Sequence, residues 1–307
     1  MAKFDLNKYK ENMKSTEVPL KDDKFIPIGE ALQAVTGLQG FPMGHCIMLY
    51  GPSNGGKSSI AYHIAAAAQK EKILPIFITT EGKISYDRIK LMGVDPENAI
   101  FTDAEYVEDI FKRLDEFTAD QVSGKLPTDI LFIVDSIGNT LSKDSVKVNK
   151  EGGTDIGGAM MKVSKVLREN MRIYSHRIND SRKVNSPHFM GAIFINHSYT
   201  QPPAFPGAMA TDVPYGGQGI YYAASLVIKI KKMKMLKATK DGIDVTFGLV
   251  SKVGIEKNHI NGVSNAGDFV IVSDGIIPNE PGAIADYKEK NRANWGKFRT
   301  EDDEVLE

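Results

Sequence analysis

The sequence has a single cysteine, Cys46, so no disulfide can close within the chain. That excludes a cystine-stapled scaffold and points to a reducing compartment. It has no apolar run of the roughly 20 residues needed to cross a bilayer. The first residues, MAKFDLNKYKENMKS, are polar and lack the apolar core of a secretory signal. Charge of one sign is not in excess: 38 Lys+Arg against 39 Asp+Glu leaves −1. A sum near zero predicts no bulk attraction to nucleic acid. No internal repeat is present. What is there is ordinary globular composition, 42% hydrophobic and 25% charged, which excludes disordered and collagen-like chains. At about 150 residues per domain, the length of 307 allows about two domains, or one large domain with appendages.

Along the chain, residues 1–25 are polar and Lys-rich, with Phe4, Leu6 and Tyr9 as apolar handles, and read as an arm outside the core. From residue 44 strand-like and helix-like segments alternate. HCIMLY (45–50), ILPIFIT (73–79), DILFIVD (129–135) and GAIFIN (191–196) are short apolar runs of the kind that become strands buried on both faces. SSIAYHIAAAAQK (58–70) is helix-like, and AEYVEDIFKRLDEF (104–117) carries Val107, Ile110, Phe111 and Leu114 at helical spacing. Such alternation predicts an α/β core around a mainly parallel sheet. Beyond 215 the pattern changes to strands joined by tight turns (224–235, 243–254, 267–277), an antiparallel extension. The tail from Asn291 to the final EDDEVLE is polar and reads as a solvated end.

Residues 51–58, GPSNGGKS, fit G-x-x-x-x-G-K-[ST], with a strand candidate before them and a helix candidate after. Glycines let the backbone wrap closely and aim N–H groups at phosphate oxygens, and the helix N-terminus adds a favourable dipole. Lys57 would neutralise phosphate charge and the Ser58 hydroxyl would ligate Mg²⁺. Asp135 ends a buried strand beside this loop and would hold Mg²⁺ through water. Glu81, in FITTEGK, could polarise an attacking water or be an ordinary loop glutamate. Asn196 and His197 end the fourth strand candidate, where a polar side chain could report a γ-phosphate to the following loop; a structural histidine is the alternative.

GPSNGGKSS, TTEGK, LMGVDPENAIF, FIVDSIGNTLSK, INHSYTQ, YGGQGIYYAASLVIKI and EKNHI occur in an order and spacing that resembles the RecA-type recombinases over about residues 25–280. The MGVDPE stretch (92–97) and His197, where RecA has glutamine, are similar to the UvsX-type branch from T-even phages. The resemblance implies a RecA-like P-loop ATPase core with a central, mainly parallel twisted sheet, an antiparallel extension and an N-terminal arm, divided as 1–25, 26–290 and 291–307. It implies ATP and Mg²⁺ as ligands. Gly51, Pro52, Ser53, Asn54, Gly55, Gly56, Lys57, Ser58 and Ser59 would form the phosphate loop, with Arg88 against adenine and Ser58 and Asp135 on the metal. Glu81 would activate water, His197 would be the γ-phosphate switch, and Lys257 would reach the ATP of a neighbouring subunit, with His259 at the second basic position of that segment. Two stretches are similar to the family's DNA-binding loops. In the first (143–158) Lys143, Lys147, Lys150, Gly157 and Gly158 would meet phosphates. In the second (198–217) Tyr199, Phe205, Tyr215, Gly216 and Gly217 would approach bases. Both read as structureless loops.

Two features depart from the family pattern. Thr79 and Thr80 precede Glu81 where the family usually has an aspartate nearby, and the chain stops soon after its last strand, where a further helical region is expected. The implied function is ATP-dependent filament formation on single-stranded DNA, followed by pairing with homologous duplex, in the cytoplasm of an infected bacterium. The implied partners are single- and double-stranded DNA, further copies of the chain, a phage loader and a single-stranded-DNA-binding protein. A ring-forming motor ATPase and a DNA coat with little hydrolysis are the competing readings. Lys229, Lys231, Lys232, Lys234, Lys237 and Lys240 make a basic strand, expected to show its charge on one face, either as a solvated edge or as a phosphate contact.

Overall fold

Apolar runs without alternation need cover on both faces, and the four such runs of this sequence meet at the centre of one sheet. The structure, a computed structural model, describes residues 5, 7–9, 19–80, 82, 84–138, 140–145, 156–203, 205, 207 and 209–297. A two-stranded pair, β1 (Phe25–Ile26) and β2 (Phe41–Pro42), brackets α1 (Glu30–Thr36). The chain then runs through β3 (Cys46–Gly51), α2 (Lys57–Lys70), β4 (Leu74–Thr79), α3 (Tyr86–Leu91), β5 (Ile100–Asp103), α4 (Val107–Val122), β6 (Ile130–Asp135) and α5 (Ile156–Asp180). It continues through β7 (Met190–Gln201), β8 (Thr211–Pro214), α6 (Gln218–Ala223), β9 (Leu226–Lys240), β10 (Ile243–Asn258), β11 (Ala266–Val272), β12 (Gly275–Pro278) and α7 (Pro281–Lys290).

The main sheet has ten strands in the order β12-β11-β10-β9-β3-β7-β6-β4-β5, with β8 beside β7. Strands β9, β3, β7, β6, β4 and β5 are parallel to their neighbours in that order. From β9 to β12 the pairing is antiparallel. The expected fold class, a mainly parallel α/β sheet with an antiparallel extension, is the one observed. From β3 the chain crosses past two strand positions to β4, which leaves a crevice at the carboxyl end of β3, the usual ligand position in such sheets.

Successive residues of β3 point to opposite faces. Ile47 and Leu49 join Ile60, Ile64, Phe77 and Ile133 on the face covered by α2. Met48 and Tyr50 join Ile110, Leu114, Leu167 and Met171 on the face covered by α4 and α5. The alanines of α2 let that helix lie close to the sheet: Ala61, Ala65 and Ala68 are fully buried. The spacing read from Val107, Ile110, Phe111 and Leu114 is the buried stripe of α4.

Three expectations at the margins are corrected. The arm does not stay off the core up to residue 25: Lys21 N–H donates to the Arg182 carbonyl (2.7 Å), Val184 N–H donates to that of Pro19 (2.9 Å), and Lys24 pairs with Asp129 at 2.7 Å. Phe4 and Leu6 lie outside the described residues. The tail is not solvated from Asn291, because Trp295 is buried with Phe247, Val250 and Tyr287 in a third apolar cluster under the extension. The lysines of β9 do not share one face. Lys231, Lys232 and Lys234 are all exposed, since β9 slips register against β10 between its Lys232 and Lys234 pairings and runs out past the body of the sheet. Among the described residues no helix is long and apolar enough to cross a membrane.

Candidate functional site

The loop between β3 and α2 is built by close approach. A Cβ on Gly51 would collide with the Ile230 carbonyl oxygen of β9, and one on Gly56 with Cδ1 of Ile271 on β11. Gly56 also has φ 92°, in the region that favours glycine, and Asn54 is left-handed at φ 58°. Ser251 of β10 donates from Oγ to the Gly55 carbonyl at 2.9 Å. The antiparallel extension is therefore the floor of the phosphate loop. Ser251, Ile230 and Ile271 carry no motif and were not singled out from sequence; only the alternation around Ile230 hinted at burial.

Lys57 is buried and donates from Nζ to the carbonyls of Gly51 (3.0 Å) and Pro52 (2.7 Å), across the hollow of the loop. Ser58 donates from Oγ to Asp135 Oδ2 at 2.6 Å. This hydroxyl and carboxylate are hard oxygen donors side by side at the head of α2, which fits Mg²⁺. Among the described residues no cluster of three or more His, Cys, Asp or Glu could hold a metal by itself, so phosphate and water oxygens must complete the shell. Arg88 is half-buried, and its Nη2 donates to Ser59 Oγ at 2.9 Å; burial lowers its pKa. The guanidinium therefore reaches Ser59 in the first turn of α2 rather than standing out as an exposed plane.

Glu81, Lys147 and Lys150 lie outside the described residues. The segment leading to Glu81 is tied to the Asp135 strand: Thr80 N–H donates to the Asp135 carbonyl (3.0 Å), and Thr80 Oγ1 donates to the Ser136 carbonyl (2.8 Å).

His197 Nδ1 lies 3.4 Å from Ser53 Oγ of the phosphate loop. Its carbonyl accepts the Tyr215 N–H at 3.0 Å. Asn196 is turned away from the phosphate loop and donates from Nδ2 to the Tyr215 carbonyl at 2.8 Å. The stretch 198–217, expected as a structureless loop, is in part a β-hairpin: Ser198–Gln201 of β7 pair with β8, which supplies the ladder partners that these polar residues could not signal. Tyr199 and Tyr215 pack together at its root, with ring centroids 5.0 Å apart. Phe205 is 66% exposed. Gly216 and Gly217 follow with left-handed φ of 82° and 76°.

The first expected loop is shorter than 143–158 at its far end, because Gly157 and Gly158 belong to α5. Lys143 is engaged with Asp109 at 2.5 Å, which raises its pKa. Lys257 is engaged too: its Nζ donates to the carbonyls of Tyr221 (3.1 Å), Tyr222 (2.8 Å) and Ala224 (2.6 Å) at the end of α6. Below the hairpin, Tyr50 donates to Glu256 at 2.5 Å and Lys229 donates to the Asp212 carbonyl of β8 at 3.0 Å. Burial and the Glu256 carboxylate together raise the pKa of Tyr50.

Comparison with known proteins places these features in context. The family model described as RecA N-terminal domain matches residues 13–277. "Protein RecA" of Syntrophus aciditrophicus is 27% identical over 308 residues, 94% of this chain and 82% of that protein. "DNA repair protein recA homolog 3, mitochondrial" of Arabidopsis thaliana is 27% identical over 75% of this chain and 49% of its own length. "Protein RecA" of Streptomyces avermitilis is 26% identical over 89% of this chain and 66% of its own length. The chain thus spans about half of the plant relative and rather more of the bacterial ones.

Proposed function

The chain belongs to the RecA family of DNA recombination and repair proteins, and on that premise we propose that it is an ATP-dependent recombinase that assembles head to tail on single-stranded DNA and pairs it with homologous duplex. The observation that carries this reading is the short path from phosphate loop to hairpin: Ser53 touches His197, and the His197 carbonyl holds Tyr215. A change of charge at the loop therefore reaches the segment bearing Tyr199, Phe205 and Tyr215, whose rings suit base stacking.

In this reading Lys57 exchanges its loop carbonyls for phosphate oxygens, and the dipole of α2 favours the same charge. Bound Mg²⁺, held by Ser58 and Asp135, would neutralise charge on the phosphates. Glu81 orients the attacking water, as the family likeness implies. Lys231, Lys232 and Lys234 offer phosphate contacts, which an overall charge of −1 hides. Lys257 serves a neighbour's ATP only if it leaves three carbonyls of its own chain. The MGVDPE stretch and His197 support the T-even phage branch, and with it a loader and a single-stranded-DNA-binding protein as partners.

Strand exchange between homologous DNAs with ATP and Mg²⁺ tests the reading. Exchange by the wild type and none by Lys57→Ala is expected. Closed rings with no exchange, or hydrolysis indifferent to single-stranded DNA, would overturn it.

A further inference from the structure

Tyr215 is held at both of its backbone polar groups by consecutive residues of β7. Its N–H donates to the His197 carbonyl at 3.0 Å, and its carbonyl accepts from Asn196 Nδ2 at 2.8 Å. We propose that Asn196 is a positioning residue that carries a second line of coupling from the nucleotide site to the hairpin, by way of residues 136–138 and separate from the Ser53–His197 contact. The inference deepens the recombinase reading and rests on it.

Asn196 is fully buried, so its amide has no water to turn to. Its orientation is fixed by Tyr215, since a flipped amide would set two carbonyl oxygens against each other. The remaining atom, Oδ1, is buried with no hydrogen-bond partner among the described residues. That oxygen is aimed at Gly138, where a Cβ would overlap it and would also come within 3.1 Å of the His197 nitrogen. Only glycine lets the backbone after Asp135 come this close to the amide. A buried acceptor without a donor is unfavourable, so Asn196 responds to any N–H that a small shift of this backbone offers.

The other end of the line lies at the nucleotide. Asp135 accepts from Ser58 at 2.6 Å, at the candidate metal position. Ser136 is clamped to Thr80 in both directions, N–H to Oγ1 at 3.2 Å and Oγ1 to carbonyl at 2.8 Å. Ile137 N–H donates to the Ile195 carbonyl at 2.9 Å, which joins the same segment to β7 one residue before Asn196. The metal side of the site and the segment leading to Glu81 thus converge on Asn196, while the phosphate-loop side converges on His197. Both end on Tyr215. Packed segments of this kind have discrete arrangements, so a sub-ångström change at Asp135 can be felt at the hairpin root.

The test measures the affinity for a fluorescent single-stranded oligonucleotide with and without a slowly hydrolysed ATP analogue plus Mg²⁺; the ratio of the two affinities is the coupling factor. Asn196→Leu keeps the branched shape, at a somewhat larger volume, and removes the amide with its contact to the Tyr215 carbonyl. It is expected to reduce the coupling factor about tenfold while analogue affinity changes by less than about threefold. His197→Ala should remove a separate share, so the double variant should lose the product of the two. Asn196→Asp keeps the shape and one acceptor but loses the donor to Tyr215, and should behave like Asn196→Leu; it serves if the leucine variant does not fold. A wild-type coupling factor retained in either folded variant, or a double variant no weaker than His197→Ala, overturns the inference while leaving the recombinase reading intact. No coupling in the wild type would overturn both.

Discussion

His45, the residue before β3, shows how burial alone sets a pH response. It is 8% exposed, and its Nδ1 has no hydrogen-bond partner among the described residues. Burial first, then the nearby Arg182 charge, push its pKa down from 6.5 to about 4, against a smaller opposing pull from Asp23. The unfolded chain therefore binds a proton more readily between these two values. Stability from this group is complete above about pH 6.5 and falls as pH drops toward 4. The loss should be on the order of 2 kcal/mol once partial solvation is allowed for. Urea midpoints at pH 7 and pH 4.5 check this: the wild type should lose more than His45→Gln, and equal losses would move the effect to another group. Nothing in the sequence marks His45 for this response, because its burial is made by the fold and Arg182, just beyond the end of α5, is brought beside it from far along the chain. The placing of Lys57 and Ser58 at the head of α2 was legible from the fixed spacing of GPSNGGKS, and that of Asp135 beside them from the buried apolar strand that it ends. Ser251 was not, since it acts on a segment brought near only by the fold and meets Gly55 across 196 residues of chain. Asn196 was read at its strand end, but its contact with the Tyr215 carbonyl was not, because the hairpin that presents Tyr215 is made by the fold.

Elements buried on both faces read well from sequence, and elements that depend on a partner read poorly. β3, β4 and β6 lie within a residue or so of the apolar runs that announced them. β7 runs on to Gln201 because β8 pairs with its polar end, and no pattern within SYTQ could say so. α6 is the other dependent element, six residues long and too short to stand by propensity. Lys257 holds its end by donating to three carbonyls, placing a cation where a helix terminus favours one. Burial lowers the Lys257 pKa, yet the three acceptors keep the ammonium paired. Lys257→Met should cost about 1–2 kcal/mol locally. Amide hydrogen exchange at Tyr221–Ala224 should quicken in the isolated protomer, before any assembly. Unchanged exchange there would mean that the lysine is not a cap, and would restore its candidacy for a contact across a subunit interface.

At the scale of the whole molecule, the antiparallel extension is not an appendage, because it forms the floor of the nucleotide loop. β9 pairs with β3 from Leu226 to Lys229, and Ile230, Ser251 and Ile271 carry the loop itself. The chain has one tryptophan, Trp295, buried on the far side of that extension against Phe247. Its emission therefore reports the extension alone, whereas far-ultraviolet circular dichroism reports the whole sheet and its helices. If the ten strands melt as one unit, the two signals should share a single urea midpoint. An ATP analogue with Mg²⁺ at about a hundredfold its dissociation constant should then stabilise both by the same amount, about 2.7 kcal/mol. A tryptophan transition that comes first, or that ignores the nucleotide, would show that the extension folds apart from the core. The loop would then lose its floor while the parallel strands still stood, and nucleotide affinity would fall in step with the tryptophan signal rather than with the circular dichroism.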